Sequence, residues 1–125
     1  MHRSRLAGFI IDCEGTDLEG AADFWSGALG LPAIGEADDD PGYQRLKDAP
    51  GNLHVEVQVV KHPSRVHLDL RTDDVAAETR RLEALGAKRV RRVKDWVVME
   101  APTGQRFCVV PARTAAHLKG AHVWN

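Results

Sequence analysis

Polar and apolar side chains alternate along residues 65–71, and this alternation predicts a strand with one buried face. The polar face carries His67, Asp69 and Arg71, and the apolar face carries Val66, Leu68 and Leu70. Asp73 or Asp74 offers an N-cap for a helix that follows. The core positions of this helix fall at helical spacing: Val75, Thr79, Leu82 and Leu85. Gly86 then occupies the left-handed position that ends many helices.

The stretch from Phe9 to Gly30 repeats this pattern 57 residues earlier. At that offset Ile10 matches His67, Asp12 matches Asp69, and Asp17 matches Asp74. A second offset of 53 residues aligns the following strands, so that Tyr43 matches Trp96 and Val55 matches Cys108. Two offsets in the same order predict a tandem duplication, because repeated units fix the architecture of a chain.

Each repeat is predicted to contain a strand, a helix and three strands. The fold class is therefore α+β: two tandem βαβββ modules that form a curved, mixed eight-stranded sheet around a cleft. We expect one domain over residues 1–125, with repeats at about 6–60 and 65–111 and a polar tail at 112–125. The first strand is predicted at Phe9 to Glu14, and a capping box of Thr16 and Glu19 is predicted to start the first helix.

Further patterns place the remaining segments. The first helix should bury Leu18, Ala22, Trp25 and Leu29. Strands are predicted at 43–47, 53–60, 96–100 and 106–110, and the acidic segment 35–42 is predicted to be a solvated loop. The basic segment 88–94 has no interleaved aromatic residues, so an exposed edge strand explains it better than a nucleic-acid surface.

Composition limits the classes of function. The 125 residues, of which 43% are hydrophobic, support an ordinary globular core. The formal net charge of −1 favours neither nucleic acid nor an anionic membrane as a partner. We expect a cytoplasmic protein with no membrane span and with reduced cysteines. Alternation puts Cys13 and Cys108 on opposite sheet faces, which argues against a disulfide between them.

Three segments resemble the small glyoxalase-like branch of the vicinal oxygen chelate superfamily. They read DCEGTDLEGAADFWSGALGL, VHLDLRTDDVAAETRRLEALGAKRV and WVVMEAPTGQRFCVV. The superfamily includes glyoxalase I, extradiol dioxygenases, methylmalonyl-CoA epimerase, metal-thiol transferases for fosfomycin and metal-free bleomycin-binding proteins. The resemblance implies a paired-module fold and a small-molecule ligand, whereas a fold alone does not specify chemistry.

The resemblance also implies where a metal would bind. Metal-dependent relatives use His or Gln, Glu, His and Glu at four strand positions. Here the first falls on Ile10, the third on His67 and the fourth on Cys108. The second falls on Val55 by repeat register or on Glu56 by alternation, and a one-residue bulge would reconcile the two. The set is incomplete, so we expect no cofactor; a divalent metal held by His67 and Glu56 is the alternative.

Several side chains are therefore candidates for a ligand-binding cleft: His67, Asp69, Asp12, Glu56, His54, Gln58, Trp96, Tyr43 and Cys108. Histidine can exchange a proton near neutral pH, so His67 is also a candidate base. Asp12 and Asp69 could pair with each other, or each could bind backbone groups. Catalysis is left open, and two functions compete. One is a metal-free small-molecule-binding protein, and the other is a metal-dependent lyase, isomerase or dioxygenase. A homodimer is expected in either case.

Overall fold

A computed structural model describes residues 1–34 and 42–125. These residues contain two α-helices and eight strands, with both parallel and antiparallel pairs. The helices are Leu18–Leu29 (α1) and Val75–Ala84 (α2). The strands are His2–Glu14 (β1), Tyr43–Leu46 (β2), His54–Val60 (β3), Arg65–Thr72 (β4), Lys88–Val93 (β5), Trp96–Glu100 (β6), Arg106–Pro111 (β7) and His122–Trp124 (β8). The predicted α+β class with a mixed eight-stranded sheet is confirmed. The acidic segment predicted as a loop lies almost entirely outside the described residues.

The chain divides into two compact units, and each is described by itself. The first-repeat unit comprises Gly8–His67, and the second-repeat unit comprises Met1–Ala7 and Leu68–Asn125. The predicted repeat boundaries at about 6–60 and 65–111 stay a prediction.

The first-repeat unit has the strand order β2-β3-β1, in which β3 pairs antiparallel with β2 and parallel with β1. Helix α1 covers one sheet face over a core of Ile11, Leu46, Val55 and Val57. Each such buried aliphatic side chain contributes roughly 1.5–3 kcal/mol by leaving water. Trp25 packs against this core, as predicted.

The two ends of α1 agree only in part with the predictions from the sequence. The Asp17 carboxylate, rather than the predicted Thr16, accepts a hydrogen bond from the Gly20 N–H at 2.9 Å. Gly30 ends the helix with a φ of 70°. Leu29, predicted to be buried, is 44% exposed because it is the last residue of the helix.

The second-repeat unit contains the strand order β4-β7-β6-β5. Helix α2 packs on one face over a core of Leu82, Val97, Met99 and Val109. Asp74 caps α2 by accepting the Ala77 N–H at 3.0 Å, and this cap lies 57 residues after the Asp17 cap, as the repeat predicts. Gly86 has a φ of 107°, which confirms the left-handed position, while Leu85 is exposed at the helix end. Strand β5 is an exposed edge, as predicted.

Three features differ from the predicted strands. Strand β1 begins at His2 rather than at Phe9. The tail contains β8, which pairs antiparallel with the start of β1. After α1, the described residues of the first repeat contain two strands and an isolated bridge between Ala33 and Leu46, rather than three strands. The expected total of eight strands is therefore reached through β8.

Candidate functional site

The sheet of the first-repeat unit has one face that does not contact α1, and polar side chains concentrate there. Along β3, Val55 and Val57 enter the core, so the alternating residues His54, Glu56 and Gln58 lie on the other face. The pairing with β1 places Ile10 beside Glu56 and Asp12 beside Gln58. The pairing with β2 places Tyr43 beside Gln58 and Arg45 beside Glu56.

This register places the two alternatives for the second family ligand position on opposite sheet faces. Glu56 lies on the polar face, and Val55 is buried in the core against α1. The pairing of β1 with β3 runs without a shift from Gly8 to Glu14, so the proposed bulge is absent from this described register. The second repeat offset is therefore wrong as a strand register. Asp12 pairs with Gln58 and Asp69 pairs with Cys108, which makes Gln58 the counterpart of Cys108.

Asp12 and His67 form a close polar contact on this face. The Asp12 Oδ2 atom lies 2.7 Å from His67 Nδ1, and the Asp12 side chain is only 2% exposed. Because a carboxylate oxygen accepts, the hydrogen-bond proton lies on Nδ1. Arg65 adds a longer ion pair, with its Nε 3.7 Å from Asp12 Oδ2. The sequence predicted a carboxylate or backbone partner for Asp12, whereas the structure gives it a histidine.

The second oxygen of Asp12 is buried and has no hydrogen-bond partner among residues 1–34 and 42–125. A buried acceptor without a donor costs about 1–3 kcal/mol, and native proteins contain few of them. Asp12 Oδ1 therefore has unused capacity to accept a hydrogen bond from a group outside the described protein atoms, such as a ligand O–H or N–H.

A second histidine–carboxylate pair lies on the same sheet face. His54 Nε2 is 2.7 Å from Glu56 Oε1, and both side chains are mostly buried. The two residues are separated by one position on β3, so strand geometry alone brings them together. Glu56, a candidate metal ligand in the sequence, thus has His54 as a neighbour.

The remaining candidates belong to the second-repeat unit, on its face opposite α2. Leu70 and Val109 pack towards the helix, which leaves Asp69 paired with Cys108 on the other face. Trp96 lies at the start of β6 with the Lys94 ammonium 5.9 Å from its ring centroid. Neither Cys13 nor Cys108 forms a disulfide, and Cys13 packs against the core of the first-repeat unit. Burial raises the pKa of the Cys13 thiol, which disfavours the reactive thiolate.

The family's four-ligand metal set does not fit this chain. Ile10 occupies the first position, is 2% exposed and lies beside Glu56 in the register. An isoleucine offers no ligand atom, and Cys108 replaces a carboxylate at the fourth position. In the second-repeat unit, Asp69 and Cys108 each offer one atom that a metal could use, but neither residue type belongs to the family set of His, Gln and Glu.

A further buried cluster escaped the sequence reasoning. Glu78 on α2 is fully buried, and its Oε1 atom accepts from His2 Nε2 at 2.8 Å. Arg81 donates to both Glu78 oxygens at 2.8 Å, through Nε and Nη2. Burial by itself raises the pKa of Glu78, but hydrogen bonds from Arg81, His2 and Ser4 outweigh it and lower the pKa. A signal was present in the sequence, because Glu78 shares the helix face of Val75 and Leu82.

The sequence matches the family described as "Glyoxalase-like domain" over residues 8–110. This match spans most of the chain. The chain belongs to the glyoxalase-like domain family. The resemblance stated from the sequence is thereby confirmed, and the comparison with curated proteins gives no match.

Solved structures support the same fold for this glyoxalase-like domain. Methylmalonyl-CoA epimerase from Mycobacterium tuberculosis has a TM-score of 0.59 at 18% identity, over 87% of this chain and 90% of that chain. A hypothetical protein from Bacillus halodurans has a TM-score of 0.64 at 11% identity, over 98% and 99%. A variant of homoprotocatechuate 2,3-dioxygenase from B. fuscum has a TM-score of 0.60 at 19% identity, over 94% of this chain and 36% of that chain. Identities this low establish the fold alone.

Proposed function

We propose that this glyoxalase-like domain binds a small molecule without a catalytic metal, in the cleft predicted from its two repeats. The main support for this proposal is that Ile10 occupies the first of the family's four metal-ligand positions. Ile10 lies beside Glu56 in the strand register. The contact between Asp12 Oδ2 and His67 Nδ1 orients the retained histidine on this sheet face. The candidate ligand contacts are those predicted from the sequence.

The polar face of the first-repeat unit indicates what kind of molecule would bind. Ile10 lies next to Glu56 in the register and two residues from Asp12 on the same strand, but it is buried. Asp12 Oδ1 offers a buried acceptor, so a ligand with a hydroxyl or amino donor would satisfy it. We therefore expect a small molecule that carries a hydroxyl or amino group.

Ligand capture tests this proposal. The purified protein is incubated with a metabolite extract in the presence of EDTA, washed, and analysed by mass spectrometry for retained compounds. Affinity for a retained compound is then measured for the wild type and for His67→Gln. Loss of one buried hydrogen bond to the ligand is expected to weaken binding by about 1–2 kcal/mol. Because the change also removes the histidine that contacts the buried Asp12 carboxylate, a lower melting temperature is expected as well.

His62→Gln is the matched control, because His62 Nδ1 contacts only the neighbouring Pro63 carbonyl oxygen among its described hydrogen bonds, at 2.8 Å. This variant should bind the compound as the wild type does. Equal affinity for the wild type and His67→Gln would contradict the role of His67. Binding that disappears with EDTA would contradict the metal-free proposal.

A metal-dependent enzyme of the superfamily is the second candidate. It is favoured by the ligand-forming residues on β4 and β7, where Asp69 pairs with Cys108 and His67 precedes Asp69 by two positions. Soft thiolate and imidazole ligands suit zinc better than the all-oxygen ions. A stoichiometric divalent ion in the purified protein would select this alternative.

We further propose a cytoplasmic homodimer. Large apolar side chains such as Phe24 on α1 and Leu68 on β4 are about half exposed or more, which a second copy could cover. Among the described residues, neither helix has the length and apolar character required to cross a lipid bilayer. Light scattering at micromolar concentration should report twice the 13.8 kDa chain mass. A monomer would contradict the dimer.

A further inference from the structure

We propose that the outer edge of β5 is a docking surface for an extended acidic segment of a partner protein, which adds to the sheet of the second-repeat unit as a further strand. Strand β5 is the outermost strand of this unit, and among the described residues it pairs with β6 alone. Its sequence, KRVRRV, contains four basic residues, and five of its six residues are exposed. The proposal does not depend on the ligand-binding function proposed above.

The first argument concerns the other strand edges. In the first-repeat unit, residues 32–34 lie along the outer edge of β2, where Ile34 N–H donates to the Arg45 carbonyl oxygen at 3.0 Å. In the second-repeat unit, β8 pairs with the start of β1. In the part of the chain that the structure describes, no backbone segment covers β5 in this way. An uncovered edge presents backbone N–H and C=O groups that can pair with another chain.

The second argument concerns the direction of the basic side chains. The register between β5 and β6 shifts between Arg89 and Arg91, which marks a bulge. Arg89 and Arg92 lie opposite core residues of β6, so they are on the α2 face. Lys88 and Arg91 lie opposite the alternate residues of β6, on the other face. A strand added at this edge therefore has basic side chains beside it on both faces.

The third argument concerns how the arginine side chains of β5 are paired. Arg89 contacts the Glu83 carboxylate at 3.2 Å. Arg92 donates from Nε to the Lys94 carbonyl oxygen at 3.2 Å, which is not a charged partner. Within the described residues, the Arg91 side chain forms neither a hydrogen bond nor an ion pair. Because a guanidinium group binds a carboxylate through two parallel hydrogen bonds, Asp or Glu side chains of a partner suit Arg91 and Arg92.

The same charges select against other partners. Antiparallel pairing of two β5 strands would place basic residues opposite each other, and like charges in that position are destabilising. Strand β5 contains no aromatic residue on which a nucleic-acid base could stack. An extended acidic peptide fits both features, because backbone pairing provides affinity and the flanking side chains provide specificity.

Fluorescence anisotropy with two labelled peptides tests the proposal. The peptide EVEETEEVE carries glutamates on both faces of an extended chain, and EPEEPEEPE has the same charge. Since proline removes a backbone donor and is excluded from regular pairing, the wild type should bind EVEETEEVE at least about tenfold more tightly. This binding should weaken as the salt concentration rises, because salt screens exposed ion pairs.

Charge reversals locate the binding surface. Arg91→Glu and Arg92→Glu should each weaken binding of EVEETEEVE by about 3- to 30-fold, because an exposed ion pair is lost and a repulsion replaces it. Lys61→Glu is the matched control, since Lys61 is exposed, lies in the first-repeat unit and changes the net charge equally. This control should bind as the wild type does. Equal weakening in all three variants would overturn the proposal.

Hydrogen exchange of the wild type locates the peptide without any substitution. The amides of β5 should exchange more slowly when EVEETEEVE is bound, and those of β2 should not change. Equal affinity for the two peptides would overturn the proposal by showing adherence of any polyanion. Tighter binding of a short single strand of thymidine nucleotides would assign the surface to nucleic acid instead. Protection of β5 that rises with protein concentration alone would assign it to a second copy, and no binding of EVEETEEVE would leave the edge without this partner.

Discussion

Two buried histidine–carboxylate pairs in this protein have nearly the same contact distance but differ in how the carboxylate is satisfied. His67 contacts Asp12 at 2.7 Å in the first-repeat unit, and His2 contacts Glu78 at 2.8 Å in the second-repeat unit. Both Glu78 oxygens accept hydrogen bonds within their unit, whereas Asp12 Oδ1 has none among the described residues. A buried carboxylate whose two oxygens both accept hydrogen bonds stabilises the fold. One with an oxygen that accepts none can still accept a hydrogen bond from a ligand.

The surroundings of Glu78 support a structural role. The Arg81 guanidinium that binds it also lies 3.9 Å from the centre of the Trp124 ring. Trp124 in turn donates from Nε1 to Ser4 Oγ at 2.8 Å. This cluster links α2, β8 and the start of β1, so Glu78 organises contacts between segments that are far apart in sequence.

The largest predicted effect is the loss of stability in Glu78→Gln. This change leaves His2 and Arg81 without the charge that compensates them, and breaking a buried ion pair costs about 3–5 kcal/mol. The matched change Asp12→Asn should cost about 1 kcal/mol, because Asp12 is bound through one oxygen only. Urea unfolding of both variants measures the two free energies, and equal losses would contradict the distinction between the pairs.

The buried Glu78 carboxylate also predicts how stability depends on pH. The pKa of Glu78 is lower in the folded state than its ordinary value of 4.5. As the pH falls, the unfolded chain therefore binds more protons than the folded chain does. The stabilisation is therefore present above about pH 4.5 and is lost as the pH falls through the folded-state pKa. The pKa of Asp73 is also lowered, chiefly by the Arg3 N–H, and Glu78→Gln leaves that contribution in place.

Melting temperatures from pH 7 to pH 3 test this prediction. The difference between the wild type and Glu78→Gln should shrink as the acid limit is approached. A difference that stays constant across this range would show that the Glu78 charge is not what stabilises the cluster.

A smaller effect compares the ends of the two helices. Gly30 and Gly86 both have positive φ, of 70° and 107°, so valine at either position is strained by roughly 1 kcal/mol or more. A Cβ on Gly86 would also lie 3.0 Å from Pro102 Cγ, whereas a Cβ on Gly30 would meet no described atom within 4 Å. Gly86→Val should therefore lower the denaturation midpoint more than Gly30→Val, and an unchanged midpoint would contradict the cap assignment.

The smallest effect concerns the tryptophan at the edge of the Glu78 cluster. Trp124→Phe keeps a ring beside Arg81 but removes the donor to Ser4, and it should cost about 1 kcal/mol. Ser4→Ala should cost more, because the Ser4 hydroxyl also donates a hydrogen bond to Glu78. The double variant should lose less than the sum, because both changes remove the same hydrogen bond. Strictly additive losses would show that this bond contributes nothing.

Local patterns predicted much of the fold because they report on one element at a time. The repeat offset of 57 residues placed Asp17 and Asp74 at equivalent positions, and both cap helices. Alternation on β3 placed Glu56 opposite the core, where the structure has it. The capping box failed by one residue because Thr16 and Asp17 are both good cap residues, and local sequence does not separate them.

Long-range contacts could not be predicted in the same way. His2 and Glu78 are 76 positions apart, and β8 forms only because the start of β1 offers it an edge. Likewise, Asp12 and His67 were both candidates, but their hydrogen bond links two strands 55 positions apart in sequence. Alternation assigns a side chain to a sheet face, whereas its partner depends on tertiary packing.

Metal stoichiometry tests the central claim most directly. Wild type, His67→Gln and Glu56→Gln are purified side by side without chelator, and the divalent ion content per chain and the melting temperature are measured. The metal-free account predicts substoichiometric metal in all three. One tightly held ion per wild-type chain, lost in both variants together with stability, would contradict the account, because binding energy at a metal site contributes to folding.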